Sequence, residues 1–344
     1  MFRLNVIYRS ARRIVPTLST LMIMGAATAM ALSASTAQVH ASASTGKKIA
    51  FLVTAPNTPY PGAMKNAFMD SAKKFGMNVT SFEQIFDAAR QVQQFDDAIA
   101  RKFDLIAIMP ASEQAIVPAL VRAKRAGIPV IVFNSAPKQG SEDLYLSFIG
   151  EDATEMGRLA GQSILQALKE SGRDGGKVAL VTGSLQEGVG PQRVAGIQEV
   201  LKTNPKVKIV AIEDAHWNPV EGERIAGQLF ARFAPEGGLD VVYGMNDDLS
   251  VAVIRAAEAA GIPLGLKPGQ LIVTGGNCLV RGIEMIKAGK QYSTGVQVPV
   301  RIGEGLAQLI DDHFAGKTLP KFDYQPIETI TMQNMAKWDG PCHY

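Results

Sequence analysis

The sequence predicts an α/β protein made of two doubly wound parallel-sheet lobes in succession, and three observations support that. From Lys47 onward, short apolar runs alternate with longer amphipathic ones. The alternation breaks and restarts after Asp152. The residues that follow the apolar runs are mostly hydrogen-bonding or aromatic. Strands alternating with helices call for a parallel sheet covered on both faces, and 344 residues leave room for two such domains.

In the first series, Lys48–Thr54 reads as a buried strand that ends at the turn-forming Pro56-Asn57-Thr58-Pro59. A helical pattern runs through Met64, Phe68 and Ala72 to Phe75 and is closed by Gly76. Strand 78–82, helix 87–102, strand 105–109, helix 114–125 and strand 129–133 follow, with Gly127 and Pro129 punctuating the last turn. The second series opens with a helix over 153–171. It continues as strand 177–182, helix 190–202, strand 208–213, helix 220–233, strand 240–245, helix 247–260, strand 270–274, helix 280–288 and strand 291–296. A helix over 299–315 and a tail containing 324–331 complete the chain.

Ahead of both series, Arg3, Arg9, Arg12 and Arg13 open the chain with no acidic residue among them. An apolar stretch from about Ile14 to Leu32 follows. Next come small residues, with Ser35-Thr36-Ala37 and Ala41-Ser42-Ala43 as candidate cleavage sites. This three-part pattern reads as a signal peptide over residues 1–43, with a retained membrane anchor as the alternative. The mature chain is then expected to begin between Gln38 and Gly46.

Composition excludes several function classes. A formal charge of +3 with no basic cluster gives no footprint for nucleic acid. Four histidines, at His40, His216, His313 and His343, are too scattered for a metal cluster. Gly183-Ser184 and Gly275-Gly276-Asn277 lack the spacing of a dinucleotide or Walker loop, so no cofactor is expected. Ser184 has no activating His and acid nearby, and no catalytic constellation is present; the chain reads as a binding protein, not an enzyme. The two cysteines, Cys278 and Cys342, either pair in an oxidising compartment or stay as buried thiols.

Two doubly wound lobes bind at the carboxyl ends of their strands. The residues there are Asn57, Thr58, Tyr60, Asn134 and Ser135 in the first series, and Glu187, Arg193, His216, Trp217, Asn246, Asn277 and Gln297 in the second. Amides, a guanidinium and aromatic rings suit a polyhydroxylated ligand: hydroxyls need fixed donors and acceptors, and the C–H face of a sugar stacks on a ring. Asp247 is expected to cap the helix it opens, and Asp248 to be solvated.

The order and spacing of several segments resemble the ribose-binding branch of type I periplasmic binding proteins. These segments are Asn57-Thr58-Pro59-Tyr60, Ala126-Gly127-Ile128-Pro129-Val130-Ile131, Gln192-Arg193-Val194-Ala195-Gly196-Ile197, Asn246-Asp247 and Gln297-Val298-Pro299. The likeness covers essentially the whole mature chain. It implies two lobes joined by a three-strand hinge that closes on the ligand, with crossings near Gly150–Asp152, Gln297–Val298 and Asp323–Gln325. The N-terminal lobe is then 47–151 plus 298–325, and the C-terminal lobe 152–297 plus 326–344, an arrangement that favours the Cys278–Cys342 bridge.

The resemblance further implies ligand contacts at Thr58, Tyr60, Asn134, Arg193, Trp217, Asn246, Asn277 and Gln297. Tyr60 and Trp217 would sandwich the sugar ring, Arg193 would donate to its oxygens, and Asn246 and Gln297 would act as dual donor-acceptors. It places the protein in the periplasm as the substrate-binding component of an ABC-type importer, with a membrane permease and a cytoplasmic ATPase as partners. A sensor feeding a chemoreceptor or sensor kinase is the alternative, and a monomer is the default.

The chain departs from the family pattern at Asn134 and Asn277, where Asp is usual, at Ser135, where Arg is usual, and at Pro61, where a second aromatic is usual. These changes lead to the expectation of a cleft stripped of carboxylates unless Glu187 restores one. They also point away from plain ribose, toward a polyol, cyclitol, sugar acid or modified sugar.

Overall fold

The computed structural model describes residues 42–338 and 340–344; the expected signal peptide lies outside them apart from residues 42 and 43. In chain order the elements are β1 (Lys48–Thr54), α1 (Pro59–Lys74), β2 (Asn78–Gln84), α2 (Ala88–Ala100), β3 (Leu105–Ile108), α3 (Val117–Ala126), β4 (Val130–Phe133) and β5 (Ser147–Gly150). Then follow α4 (Ala153–Glu170), β6 (Gly176–Thr182), α5 (Val189–Leu201), β7 (Val207–Asp214), α6 (Pro219–Phe233), β8 (Val241–Gly244), α7 (Asp247–Ala259), β9 (Ile272–Thr274), α8 (Val280–Lys287) and β10 (Ser293–Gly295). Last come α9 (Pro299–Phe314), β11 (Phe322–Tyr324) and β12 (Thr329–Thr331).

These strands form two six-stranded sheets, in the orders β11-β5-β4-β3-β1-β2 and β12-β10-β9-β8-β6-β7. The first is parallel throughout. In the second, only β12 runs antiparallel, against β10. The two sheets share one topology, and each reverses its strand order beside its first strand, the position where open α/β sheets leave a binding crevice. The chain passes between sheets three times: after β5 into α4, after β10 into α9, and between β11 and β12.

Burial follows the two-residue period of the strands. Ile49, Phe51, Val53, Leu105, Ala107, Ile131 and Phe133 pack on one face of the first sheet against α1 and α9. Ala50, Leu52, Ile106, Ile108, Val130 and Val132 fill the other face against α2 and α3. Apolar residues on both faces explain why these strands read as continuous runs rather than alternating ones. Phe51 stacks between Phe68 and Phe133, with centroids 4.4 and 5.1 Å away. The second sheet carries the corresponding core of Val178, Leu180, Val181, Val241, Val242 and Ile272 with the helices around them. Gly127 ends α3 in the left-handed conformation expected of a helix C-terminus (φ 70°).

The structure departs from the sequence expectations in several places. β5 was not expected as a strand: its four residues hold only Phe148 and Ile149 as large apolar side chains between Ser147 and Gly150, too short a pattern to separate from a loop. β8, β9 and β10 are shorter than expected, and most of the residues they lose lie at their N-terminal ends, where Leu271 pairs only through an isolated bridge to Leu264. Helix α1 begins at Pro59, since proline is tolerated in a first turn where the amide has no intrahelical partner; Tyr60 and Pro61 are therefore helical. Among the described residues, no helix is long and apolar enough to cross a membrane.

Candidate functional site

A cavity of about 510 Å³ lies between the carboxyl ends of the two sheets. All eight residues expected from the sequence line it: Thr58, Tyr60, Asn134, Arg193, Trp217, Asn246, Asn277 and Gln297. Each comes from the segment after a different strand, or from the helix that segment opens, apart from Thr58 and Tyr60, which both follow β1.

The local backbone accounts for this convergence. Ala55, Phe86, Asn134, His216, Trp217 and Asn277 line the cavity with positive φ, from 47° to 80°. Non-glycine residues in this region are uncommon and gather where surrounding structure holds a functional geometry. Asn134 and Asn277 thus combine a left-handed turn conformation with a place in the cavity lining. Trp217 sits on Gly183, where a Cβ would come within 2.0 Å of the indole ring, so a side chain there would displace it.

Arg193, on α5, is almost wholly buried and organises the floor. Its Nη1 donates to the Met245 carbonyl at 3.1 Å and to Asn277 Oδ1 at 3.4 Å, and its Nη2 donates to Gln297 Oε1 at 2.8 Å. The buried Nε has no protein acceptor. Gln297 passes the network on: its Nε2 donates to Glu151 Oε2 at 3.0 Å and approaches the Tyr60 hydroxyl at 3.4 Å. The Tyr60 hydroxyl in turn donates to Glu151 Oε2 at 3.2 Å. An unbroken polar chain thus runs from Arg193 to Tyr60, from one lobe to the other.

This arrangement corrects two expected roles. Both ends of the Gln297 amide are taken by protein groups, so Gln297 relays between lobes rather than offering a free donor and acceptor. Asn246 Oδ1 accepts from the Leu249 amide at 2.8 Å and caps α7, so its oxygen is engaged by the protein and only its NH2 is left over. Asp247 is therefore not the cap. Fully buried, it accepts from Leu279 N at 2.7 Å, Gln291 Nε2 at 2.8 Å and Thr294 Oγ1 at 3.0 Å, tying together the segments beneath Asn277. Burial pushes its carboxyl up to about 7, against the opposing pull of those hydrogen bonds. Asp248 is not solvated either. It lines the cavity, 2.7 Å from Arg281 Nη1, as a charge contact without hydrogen-bond alignment.

The cleft is not stripped of carboxylates: Glu187 restores one, as the sequence allowed, and two others were not expected. Glu187 and Asp248 line it, and Glu151 lies beneath Tyr60 and Gln297. Glu187 accepts from Trp217 Nε1 at 2.9 Å. Burial raises its carboxyl to about 7, partly opposed by that hydrogen bond and by Arg193. Burial also raises Glu151 above the usual carboxylate range. The Trp217 ring lies 6.0 Å from the Arg193 guanidinium, within cation–π reach.

Sequence reasoning missed Ile85, Phe86, Met109, Asp248 and Arg281 in the lining, and Glu151 below it. Glu151 left one signal: it is the first of two acids, Glu151-Asp152, directly after Phe148-Ile149-Gly150. Cys278 and Cys342 are joined in a disulfide, with Cα atoms 5.2 Å apart.

A family model described as periplasmic binding protein domain matches residues 49–318. The D-allose-binding periplasmic protein of Escherichia coli is 27% identical over 273 residues, covering 77% of this chain and 84% of the relative. The ribose import binding protein of the same organism is 25% identical over 291 residues, covering 85% and 93%. Among solved structures, an ABC transporter solute binding protein from Bacillus halodurans with bound myo-inositol shares the fold. It matches with a TM-score of 0.77 at 21% identity, covering 87% of this chain and 99% of that one. The chain belongs to the periplasmic binding protein family and is similar to members of its ribose-binding branch.

Proposed function

We propose that this protein captures a neutral polyhydroxylated molecule (a sugar, polyol or cyclitol) in the periplasm and delivers it to an ABC-type importer. The observation that supports this most is the convergence of Thr58, Tyr60, Asn134, Arg193, Trp217, Asn246, Asn277 and Gln297 on one cavity between two lobes. The relatives' names fit the same ligand class: D-allose, ribose and xylitol.

Amide groups of Asn134 and Asn246 are donors available to hydroxyls, and the buried Arg193 Nε has no protein acceptor. The rings of Tyr60 and Trp217 are the apolar surfaces available to C–H faces. Arg281 faces Asp248, and the Arg193 terminal nitrogens face protein acceptors. A neutral ligand suits that balance better than a sugar acid. Six to eight net hydrogen bonds of ~1 kcal/mol each and two stacked faces of ~0.5–1.5 kcal/mol supply roughly 7–11 kcal/mol before association costs.

Because lining residues come from both lobes, a ligand that touches both prefers the closed form and shifts the population toward it by that preference alone. The closed pair of lobes is then the surface offered to a permease. The test is a thermal-shift screen of the mature chain against sugars, polyols, cyclitols, sugar acids and nucleosides. A rise in melting temperature confined to neutral polyhydroxylated compounds supports the proposal; a rise only with sugar acids or nucleosides overturns the ligand class.

A further inference from the structure

The disulfide does more than close a loop. Cys278 directly follows Asn277 in the cavity lining, and both hold left-handed backbone, with φ of 49° and 80°. Two residues beyond Cys342, the Tyr344 hydroxyl reaches the carbonyl oxygens of both Asn277 and Gln297, the latter at 2.9 Å. Its ring meets Tyr60 edge-on, with centroids 6.1 Å apart and planes at 63°. Tyr344 also packs on two cores at once: that of the first sheet, and the cluster of Cys278, Val296, Val298, Trp338 and Cys342. One tethered side chain thus touches cavity residues from both lobes.

We propose that Tyr344, held in place by the Cys278–Cys342 tether, is a positioning residue for the cavity. Its hydroxyl fixes the peptide groups of Asn277 and Gln297. The side chains of those same two residues carry the acceptors for Arg193 Nη1 and Nη2. Its ring fixes the inner edge of Tyr60, whose hydroxyl closes the polar chain on Glu151. The tail therefore controls the orientation of the floor without contacting the ligand. For what the cavity binds, the inference rests on the proposed function.

The test uses the mature chain, Tyr344→Phe, and the paired substitution Cys278→Ser with Cys342→Ser. The first arm needs no ligand: amide hydrogen exchange is followed across residues 275–280 and 295–299. Tyr344→Phe removes one hydroxyl and should speed exchange there roughly three- to tenfold, the scale of one lost hydrogen bond, with the rest of the chain unchanged. The paired serine variant should loosen the same two segments first. The second arm titrates D-allose and myo-inositol; the better binder should lose a similar factor in Tyr344→Phe.

Exchange that is unchanged in both segments, or raised evenly over the whole chain, overturns the positioning role. If neither compound binds the unaltered chain, the ligand class is in doubt, while the ligand-free arm still decides the tether.

Discussion

Trp217 Nε1 donates a 2.9 Å hydrogen bond to Glu187 Oε2, so the ring expected to face the ligand is oriented by a buried carboxylate. The carboxylate sits where burial brings its titration close to neutrality. Its charge is therefore sensitive to conditions, and so is the strength with which it holds the indole.

That sensitivity has a defined sign. Glu187 titrates near 4.5 when exposed and at about 7 in the folded chain. Between those values the folded chain holds a proton that the unfolded chain releases, so stability falls as pH rises through the window and levels off above it. Glu187→Gln keeps an acceptor for Trp217 but does not titrate. Between pH 5 and 8 the variant should lose less stability than the unaltered chain, by on the order of 1–3 kcal/mol. Denaturant titrations at the two pH values measure this, and equal losses would show that Glu187 titrates normally.

Gly183 tests the placement of Trp217 from below. A methyl group there would meet the indole at 2.0 Å, so Gly183→Ala should tilt the ring off its seat and away from Glu187. We expect a stability loss of ~1–3 kcal/mol from overpacking, with ligand binding weakened as well. A red-shifted tryptophan emission, absent in a Gly183→Ala/Trp217→Phe double variant, would assign the change to that ring. An unchanged spectrum and affinity would mean that the ring tolerates the methyl group.

The disulfide closes a loop of 64 residues. On the chain-entropy model such a bridge stabilises by about 4 kcal/mol. Reduction, or replacement of both cysteines by serine, should lower the denaturation midpoint accordingly without changing the secondary structure seen by circular dichroism. A change below about 1 kcal/mol would mean that the tail is held by packing around Trp338 alone.

Much of this molecule was legible in its sequence, for identifiable reasons. Strands such as β1 and β6 are buried on both faces and announce themselves as apolar runs. Helices α2, α4 and α6 begin at Asp87, Asp152 and Asn218, whose side chains accept the first free amides. The eight cavity residues were readable because open α/β sheets concentrate binding at strand ends, and the family resemblance selected among the candidates there. Asp248 and Arg281 were not readable, because they meet across α7 and α8 only once the chain folds. Tyr344 was hidden for the same reason: its nearness to Asn277 depends on a pairing that the sequence left open. Asp247 was misread as a cap because Asn246, one residue earlier, takes that role and turns Asp247 inward.

Arg193 and Trp217 carry the binding proposal, and their substitutions separate ligand contact from structure. Trp217→Ala removes a stacking face and should weaken binding by ~1–3 kcal/mol. Arg193→Lys keeps the charge but cannot reach Met245, Asn277 and Gln297 together, so it should weaken binding at least as much. A Trp217→Phe variant that recovers part of the affinity would point to ring stacking, and equal loss in Phe and Ala variants would point to the indole N–H.

The most direct measurement is a calorimetric titration of the mature chain with D-allose, ribose, xylitol and myo-inositol, repeated on Trp217→Ala and Arg193→Lys. The expected result is one-to-one binding of at least one compound at micromolar strength or tighter, weakened in both variants. Failure of all four to bind, or a measured affinity that neither substitution changes, would contradict the assignment of this cavity as the ligand site.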